Sequence, residues 1–360
     1  MIARLGDICT VVSGSTPKSV VPEYWDGDVK WITPAELDDD SYIISDSVRH
    51  ITTLGVTKTG LKPFPAGTVI LSSRAPIGKT AIAGCEMYCN QGFKNLICSN
   101  NIDSKYLYFF LSSKRDYLNS LGRGATFKEI SKTIVENIEI PLPEMAEQKV
   151  ISTRFENLMK LIQLRKTELE KLDQLVKSRF IELFGDPQTN PFKYKQAKLS
   201  DVATYYNGLT YKPENVAEIG TIVLRSSNIQ NSQLDFTDTV RVDCAVRERL
   251  MVQENDILMC SRNGSAKLVG KVALIKGVQE PMSFGAFMMI IRSRYNSYLM
   301  TYFQLDAFRQ QIKTGATTTI NQITGRMLDN VTIPLPPIAL VEQFAAFVEQ
   351  TDKSKYYSVA

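Results

Sequence analysis

The stretch Ile140-Pro141-Leu142-Pro143, followed by Glu147-Gln148, occurs a second time as Ile333-Pro334-Leu335-Pro336 followed by Glu342-Gln343. A given tetrapeptide matches at one aligned position by chance only about once in 10⁵. The repeat continues outward in the same order, at an offset of 188 to 195 residues. Its other matches are Leu5 and Asp7 with Leu199 and Asp201, Gly14-x-Thr16-x-Lys18 with Gly208-x-Thr210-x-Lys212, Ser73-Arg74 with Ser261-Arg262, Gly78-Lys79 with Gly270-Lys271, Tyr106-Leu107 with Tyr298-Leu299, and Gly124-Ala125-Thr126 with Gly315-Ala316-Thr317. The sequence therefore predicts an internal duplication of a domain-sized unit.

The first part of each repeat has the pattern of a mixed, strand-rich domain. In residues 1–143, short apolar runs at 68–71 and 95–98 are separated by glycine, proline and asparagine, which is typical of strands between turns. Tyr106, Phe109 and Leu118 recur at near-helical spacing, so a helix is predicted around residues 105–119.

The second part of the repeat is a long helix with a heptad pattern. Apolar residues alternate at intervals of four and three from Ile151 to Leu183, with Arg165 and Arg179 on the same seam. Few helix breakers occur before Gly185-Asp186-Pro187, so we predict about 34 helical residues, or about 50 Å. The predicted domains are 1–143, a central helix at 144–185, a second domain at 186–336 and a distal helix at 337–360.

The central helix needs a partner along its apolar seam. The matching pattern begins at Ile338, but the sequence ends at Ala360. We therefore expect a shorter distal helix that leaves the seam around 172–183 without an intramolecular partner. The predicted association surface, covered by another protein or by a second copy of this chain, consists of Leu172, Leu175, Val176, Phe180 and Leu183.

Composition excludes several classes of protein. The chain has 360 residues, 44% of them apolar and 22% charged, and it lacks the run of about 18 apolar residues that a membrane helix needs. The N-terminus lacks the apolar core of a signal peptide, so we expect a cytoplasmic protein. The net charge of +4 is too small to indicate nucleic-acid binding by itself.

Catalytic and metal-binding motifs are not recognised in the sequence. His50 is the sole histidine and has no evident partner, and only Cys85 and Cys89 are close in sequence, so no metal site is predicted. The one Pro-Pro pair is followed by Ile338, whereas an amino-methyltransferase needs tyrosine or phenylalanine there. Gly122-Arg123-Gly124 is too short for a dinucleotide-binding loop. We expect no enzymatic activity and no cofactor.

The duplicated motifs resemble those of the specificity subunit of type I restriction-modification systems, over essentially the whole chain. The resemblance rests on Gly14-x-Thr16-Pro17, Gly124-Ala125-Thr126 and the junction from Ile140 to Gln148, each with its second copy. It implies an α+β fold with two tandem mixed α/β target-recognition domains, each followed by a helix. It also implies that the two helices form an antiparallel coiled-coil spacer with pseudo-twofold symmetry.

The resemblance implies a non-catalytic subunit that recognises a bipartite, asymmetric site in double-stranded DNA. Its implied partners are two modification (methyltransferase) subunits, with restriction-translocase subunits as further candidates. Two alternatives stay open: a truncated, inactive or exchange-cassette specificity protein, and a scaffold that does not bind DNA.

Duplex recognition requires cations for phosphates and planar polar groups for base edges. Basic and polar residues near turns are therefore the candidates for DNA contact. They are Lys18, Arg74, Lys79, Arg123 and Lys128 in the first domain, and Lys212, Arg225, Arg262, Asn263, Lys267 and Arg326 in the second. Positions that match between the repeats favour phosphate contact or a structural role. We expect base-reading residues at unmatched positions, namely Lys128, Asn263 and Lys267.

Overall fold

A computed structural model describes residues 1–74, 76–124, 128–313 and 321–359. The chain divides into two compact units, Met1–Gln163 and Leu164–Ala360. Each unit has buried apolar clusters of its own, so each is stabilised by its own core. Ala125-Thr126 and Gly315-Ala316-Thr317 of the repeat motifs lie outside the described residues.

The described residues of the first unit form three sheets and several short helices. Its strands are β1 (Ile2–Arg4), β2 (Cys9–Val12), β3 (Trp25–Ile32), β4 (Ile43–Ile44), β5 (His50–Ile51), β6 (Val69–Leu71), β7 (Thr80–Ala83), β8 (Tyr88–Cys89), β9 (Asn95–Cys98) and β10 (Glu139–Pro141). Its helices are α1 (Leu5–Ile8), α2 (Thr53–Thr59), α3 (Ser104–Ser113), α4 (Arg115–Ser120), α5 (Lys132–Glu136) and the first part of α6 (Met145–Phe184). The strand orders are β2-β9-β6-β7-β4, β5-β3-β8 and β1-β10.

The strands predicted at 68–71 and 95–98 are confirmed as β6 and β9. Val69 and Leu71 face one apolar cluster and Ile70 faces another, so β6 is apolar throughout because both its faces are covered. The helix predicted at 105–119 is interrupted at Lys114, which separates α3 from α4.

The second unit repeats this plan. Its strands are β11 (Gln196–Lys198), β12 (Thr204–Asn207), β13 (Val216–Ala217), β14 (Thr221–Leu224), β15 (Ile229–Gln230), β16 (Gln233–Leu234), β17 (Arg241–Val242), β18 (Ile257–Cys260), β19 (Val272–Leu274), β20 (Met282–Phe284), β21 (Met288–Arg292) and β22 (Thr332–Pro334). Its helices are the rest of α6, α7 (Leu199–Val202), α8 (Asn296–Tyr302), α9 (Asp306–Lys313), α10 (Gly325–Asp329) and α11 (Ile338–Val359). The larger sheets have the orders β12-β21-β18-β19 and β13-β17-β14-β20.

The duplicated Ile-Pro-Leu-Pro motif closes each unit in the same way. In the first unit it enters β10, whose Pro141 pairs with Ile2 of β1. In the second it enters β22, whose Pro334 pairs with Gln196 of β11. Both pairs are antiparallel, so the start and the end of each strand-rich region are joined immediately before a long helix.

Helix α6 has 40 residues, or about 60 Å, and begins six residues before the heptad pattern. It ends at Gly185, whose φ of 73° is the left-handed conformation that commonly terminates helices. In the first unit, one face of α6 packs inward: Phe155 stacks on Phe109 at 5.0 Å, and Glu156 accepts hydrogen bonds from Tyr42 and Lys105.

The expectation that the seam at 172–183 lacks an intramolecular partner is wrong. Helix α11 runs antiparallel to this part of α6, because Phe344 contacts Phe180 at a ring distance of 5.7 Å and Lys355 Nζ lies 2.7 Å from Asp173. Phe180 is fully buried. The 22 residues of α11 extend about 33 Å, whereas the 12-residue seam needs only about 18 Å.

The other predicted association residues differ in exposure. Val176 and Leu183 pack against the same core as Phe180, and Leu172 is half-buried. Only Leu175 is exposed. Within the described ranges, the more extensive exposed apolar face of α6 lies in the first unit, at Leu158, Leu161 and Ile162.

No helix in the described part of the chain combines the length and apolar character needed to cross a membrane.

Candidate nucleic-acid interface

The duplicated Ser-Arg motif occupies the same backbone framework in both units. Ser73 N–H donates to the carbonyl oxygen of Gly92, and its own carbonyl accepts from Ile130 N–H at 3.0 Å. In the second unit, Ser261 N–H donates to Phe287 and its carbonyl accepts from Ile323 at 2.7 Å. Glu129 and Gln322, which precede the two isoleucines, therefore occupy corresponding positions, as do Gly92 and Phe287.

In the first unit, Arg74 and Lys94 share one carboxylate. Arg74 Nε donates to Glu129 Oε2 at 2.8 Å, and Lys94 Nζ donates to Oε1 at 3.1 Å. Lys94 is only 7% exposed, so its ammonium depends on this acid for charge compensation. Partial burial disfavours the carboxylate, but the hydrogen bonds from Arg74 and Lys94 outweigh that effect and lower the pKa of Glu129.

Arg123 and Lys128 lie beside the same cluster. Arg123 and Glu129 exchange two backbone hydrogen bonds of 2.9 and 3.0 Å, and both line a cleft of about 630 Å³. The side chains of Arg123 and Lys128 are exposed. The structure therefore brings together two of the five predicted contacts of the first unit, Arg74 and Arg123, around Glu129, with the exposed Lys128 next to Glu129 in the sequence.

Lys79 does not belong to this cluster. Its ammonium donates to the carbonyl oxygen of Leu37, and the corresponding Lys271 donates to Ile229 at 2.8 Å. Both lysines are half-buried. The matched pair therefore holds a loop in each unit, which makes Lys79 a poor DNA contact.

The duplicated glycine turn lies against a strand end. A Cβ on Gly14 would come within 1.8 Å of the Cys89 carbonyl oxygen, and one on Gly208 within 2.2 Å of that of Gly285, so both positions require glycine. The turns carry Lys18 and Lys212, which are exposed. Lys212 lies 3.6 Å from Glu214, a surface pair that contributes little energy.

In the second unit, the arginine has a neutral partner. Arg262 Nε and Nη2 donate to Gln322 Oε1 at 3.1 and 2.6 Å. The guanidinium lies 5.8 Å from the ring centre of Phe287, which is 57% exposed. This arrangement presents an arginine and an aromatic ring side by side on the surface.

Arg225 and Asn263 are close to this pair. Arg225 and Phe287 line one cleft of about 330 Å³, together with Tyr211 and Ser226. Asn263 Nδ2 lies 3.4 Å from Ser226 Oγ. Arg225 Nη2 pairs with Asp238 at 2.7 Å, and its buried Nε has no hydrogen-bond partner in the described part of the chain. Three predicted residues, Arg225, Arg262 and Asn263, therefore meet around Phe287.

Lys267 and Arg326 are exposed, and the structure shows no contact that joins them to this group among the described residues. Four residues of these two surfaces were not predicted from the sequence: Lys94, Glu129, Phe287 and Gln322. Glu129 and Gln322 could have been matched from the sequence, because each precedes an isoleucine that follows the Gly-Ala-Thr motif. The match is difficult to recognise because the second copy has two extra residues between that motif and the isoleucine.

The sole histidine has an acidic neighbour. His50 Nε2 lies 3.1 Å from Asp46 Oδ1, so the expectation that His50 has no partner is wrong. Among the described residues, no group of three or more histidine, cysteine, aspartate or glutamate side chains is arranged to hold a metal ion.

Comparison with known proteins agrees with the duplication. The family model described as "Type I restriction modification DNA specificity domain" matches residues 1–174 and again residues 191–356. The MjaIX specificity subunit of Methanocaldococcus jannaschii is 38% identical over 203 residues, which are 56% of this chain and 46% of that protein. The chain thus matches less than half the length of that relative. The EcoKI specificity subunit of Escherichia coli K12 is 26% identical over 325 residues, 82% of this chain and 69% of that protein.

Two solved structures share the fold. The S subunit from M. genitalium aligns with a TM-score of 0.53 and 13% identity, covering 100% of this chain and 92% of that one. A chain from a study of complex assembly in the type I R-M system aligns with a TM-score of 0.57 and 18% identity, covering 99% and 94%. These likenesses confirm the predicted fold class. The chain belongs to the family of type I restriction modification DNA specificity domains.

Proposed function

We propose that this chain is a non-catalytic DNA-recognition subunit that positions methyltransferase subunits on a bipartite, asymmetric DNA site. The observation that carries this proposal is the pair of corresponding arginine-centred surfaces, one in each unit, whose surroundings differ chemically. Arg74 lies beside an acid, whereas Arg262 lies beside an amide and an exposed ring. Two such surfaces on one chain suit two half-sites of different sequence.

The proposal assigns different tasks to the exposed residues. Lys18 and Lys212 on the glycine turns suit phosphate contact, since a flexible ammonium is not specific for a base. Side chains around Glu129 and Phe287 suit base contact because they combine donors, acceptors and apolar surface. Lys128, Asn263, Lys267 and Arg326 remain candidates for either task.

The exposed face of α6 in the first unit is the candidate surface for a protein partner. Leu158, Leu161 and Ile162 are each about half exposed, and their spacing puts them on one side of the helix. The opposite side carries Glu156, which accepts hydrogen bonds from Tyr42 and Lys105. Phe155, which stacks on Phe109, borders the exposed face. We assign this face to methyltransferase subunits; restriction subunits and a second copy of the chain are alternative occupants.

Selection of DNA by the assembled complex tests the function. The full chain, co-expressed with type I methyltransferase subunits, is incubated with a library of duplexes randomised over about two helical turns. We expect a bipartite consensus with two unrelated halves. The chain alone should bind more weakly and show only a shallow salt dependence, because a net charge of +4 supports few phosphate contacts.

Selection of no sequence by the assembled complex would contradict the proposal and favour a scaffold or an inactive specificity protein. Tight, specific binding by the chain alone, unchanged by the methyltransferase subunits, would contradict the cooperative part of it.

A further inference from the structure

At two pairs of corresponding positions, the two units carry residues of different charge, and the two differences occur together. The backbone N–H of Lys94 donates to the backbone carbonyl of Leu71. In the second unit, Met289 of β21 is the strand partner of Met259 of β18. Leu71 and Met259 each lie two residues before the Ser-Arg motif, so Lys94 and Met289 correspond. The first unit therefore combines lysine with glutamate, and the second combines methionine with glutamine.

The paired difference has a simple electrostatic cause. Lys94 is buried, and a buried ammonium needs an acid within hydrogen-bond distance. Glu129 supplies that acid 3.1 Å away. Met289 is uncharged and 1% exposed, so an acid at Gln322 would have no buried cation to neutralise. The amide at this position leaves the charge of Arg262 uncompensated in the described part of the chain.

The geometry also leaves one edge of Arg262 open. Gln322 Oε1 accepts from Nε and Nη2, which occupies one side of the guanidinium fork. The edge formed by Nη1 and the second proton of Nη2 makes no hydrogen bond in the described residues. A side chain fixed on one edge and open on the other is preorganised for a bidentate contact.

We propose that Arg262 reads a guanine in the half-site of the second unit, with Gln322 as its positioning residue. Arginine is the usual bidentate partner of guanine O6 and N7 in the major groove. Phe287 lies at contact distance from the guanidinium and is exposed, so it contacts the neighbouring base; the methyl group of thymine is the apolar group available there. This inference rests on the proposed function, and it replaces the expectation that matched positions such as Arg262 contact phosphate or have a structural role.

The first unit presents its arginine beside an acid and without an aromatic neighbour among the described residues. Arg74 shares Glu129 with Lys94, and Gly92 replaces the aromatic ring. A Cβ on Gly92 would come within 2.9 Å of Pro34, so this position has no room for a side chain. The carboxylate of Glu129 repels phosphate and favours a donor such as the cytosine amino group.

The test uses the assembled complex and the random duplex library. Arg262→Ala should abolish the preference for guanine at one position of one half-site, a loss of about 5- to 150-fold in discrimination. Arg262→Lys keeps the charge but not the bidentate fork, so it should restore affinity without restoring the guanine preference. Arg249→Ala, a change at an exposed arginine of the same unit, is the matched control and should leave the consensus unchanged.

Variants of Gln322 separate positioning from folding. Gln322→Met removes the acceptor at similar size and should weaken the same guanine preference. Gln322→Glu retains an acceptor oxygen and should keep the preference while lowering overall affinity, since it adds a negative charge near the DNA.

The outcomes separate the inference from the proposed function. If the unaltered complex selects a bipartite consensus and Arg262→Ala selects the same one, the inference fails and the function stands. Rescue of the guanine preference by lysine would overturn the bidentate contact, because it would show that a point charge without the guanidinium fork is sufficient. If the unaltered complex selects no sequence, both fail.

Discussion

The two units place the same Ser-Arg motif in different electrostatic surroundings. In the first, Arg74 and the buried Lys94 converge on the carboxylate of Glu129. In the second, Arg262 contacts the neutral Gln322 and the exposed Phe287. The backbone hydrogen bonds of Ser73 and Ser261 correspond, so a shared framework carries different side chains.

This comparison shows how a duplicated scaffold diverges without changing its fold. One buried position, lysine or methionine, determines whether the neighbouring surface position needs an acid. The acid in turn determines whether the exposed arginine is neutralised. A change in the core of a unit thereby alters the surface that we propose for DNA recognition.

The largest predicted effect concerns the difference in burial between the two parts of α6. Phe180→Ala should reduce the stability of the second unit by about 3 to 5 kcal/mol, because Phe180 is fully buried against Phe344 and Tyr298. Leu158→Ala in the first unit should cost less than about 1 kcal/mol, since Leu158 is half exposed. Hydrogen exchange of the helices in each unit, followed by mass spectrometry, measures both effects.

A charge on the exposed face gives the matching control. The double change Leu158→Glu with Leu161→Glu should leave the hydrogen-exchange rates of the first unit unchanged. It should weaken the association with methyltransferase subunits, measured by co-sedimentation. Equal destabilisation by Phe180→Ala and Leu158→Ala would mean that both positions of α6 are equally buried. It would contradict the difference in exposure between Phe180 and Leu158.

The next largest effect concerns Glu129. Glu129→Gln removes the acid that neutralises Lys94 and should destabilise the first unit by about 2 kcal/mol. Breaking a fully buried ion pair costs about 3 to 5 kcal/mol. We expect a smaller loss here because Glu129 is partly exposed. The double variant Lys94→Met, Glu129→Gln has the methionine and glutamine found at the corresponding positions of the second unit. It should recover most of the lost stability. Both tryptophans, Trp25 and Trp31, lie in the first unit, so tryptophan fluorescence during urea unfolding reports on this unit selectively.

Gln322→Glu is the control in the second unit, where no buried cation is affected, and it should change stability by less than about 1 kcal/mol. The electrostatic explanation would be refuted by a double variant that is less stable than Glu129→Gln alone.

The smallest effect is a difference in acid sensitivity. The pKa of Glu129 is lowered from its ordinary value of 4.5, so its ionised form stabilises the folded first unit above that pH. This contribution is lost as the pH falls through the lowered, folded-state pKa. The Lys94→Met, Glu129→Gln variant lacks it, so its midpoint of urea unfolding should fall less than that of the original chain between about pH 5 and pH 3. An identical fall would show that Glu129 does not contribute.

The sequence predicted the duplication, the strand-rich domains and the long helix because these depend on local patterns and on matches between the repeats. It did not predict the burial of Phe180, because the heptad pattern identifies a seam but not how far α11 covers it. Arg74 meets Glu129, and Arg262 meets Gln322 and Phe287, yet these partners come from strands and turns that are distant in the sequence. Side-chain partners of this kind follow from the tertiary fold rather than from sequence spacing.

A domain exchange tests whether each unit recognises its own half of one DNA site. Residues 1–143 are replaced with the corresponding domain of a relative, and the duplex selection with methyltransferase subunits is repeated. We expect one half of the consensus to change and the half assigned to Arg262 to stay the same. A change in both halves, or in neither, would contradict this expectation.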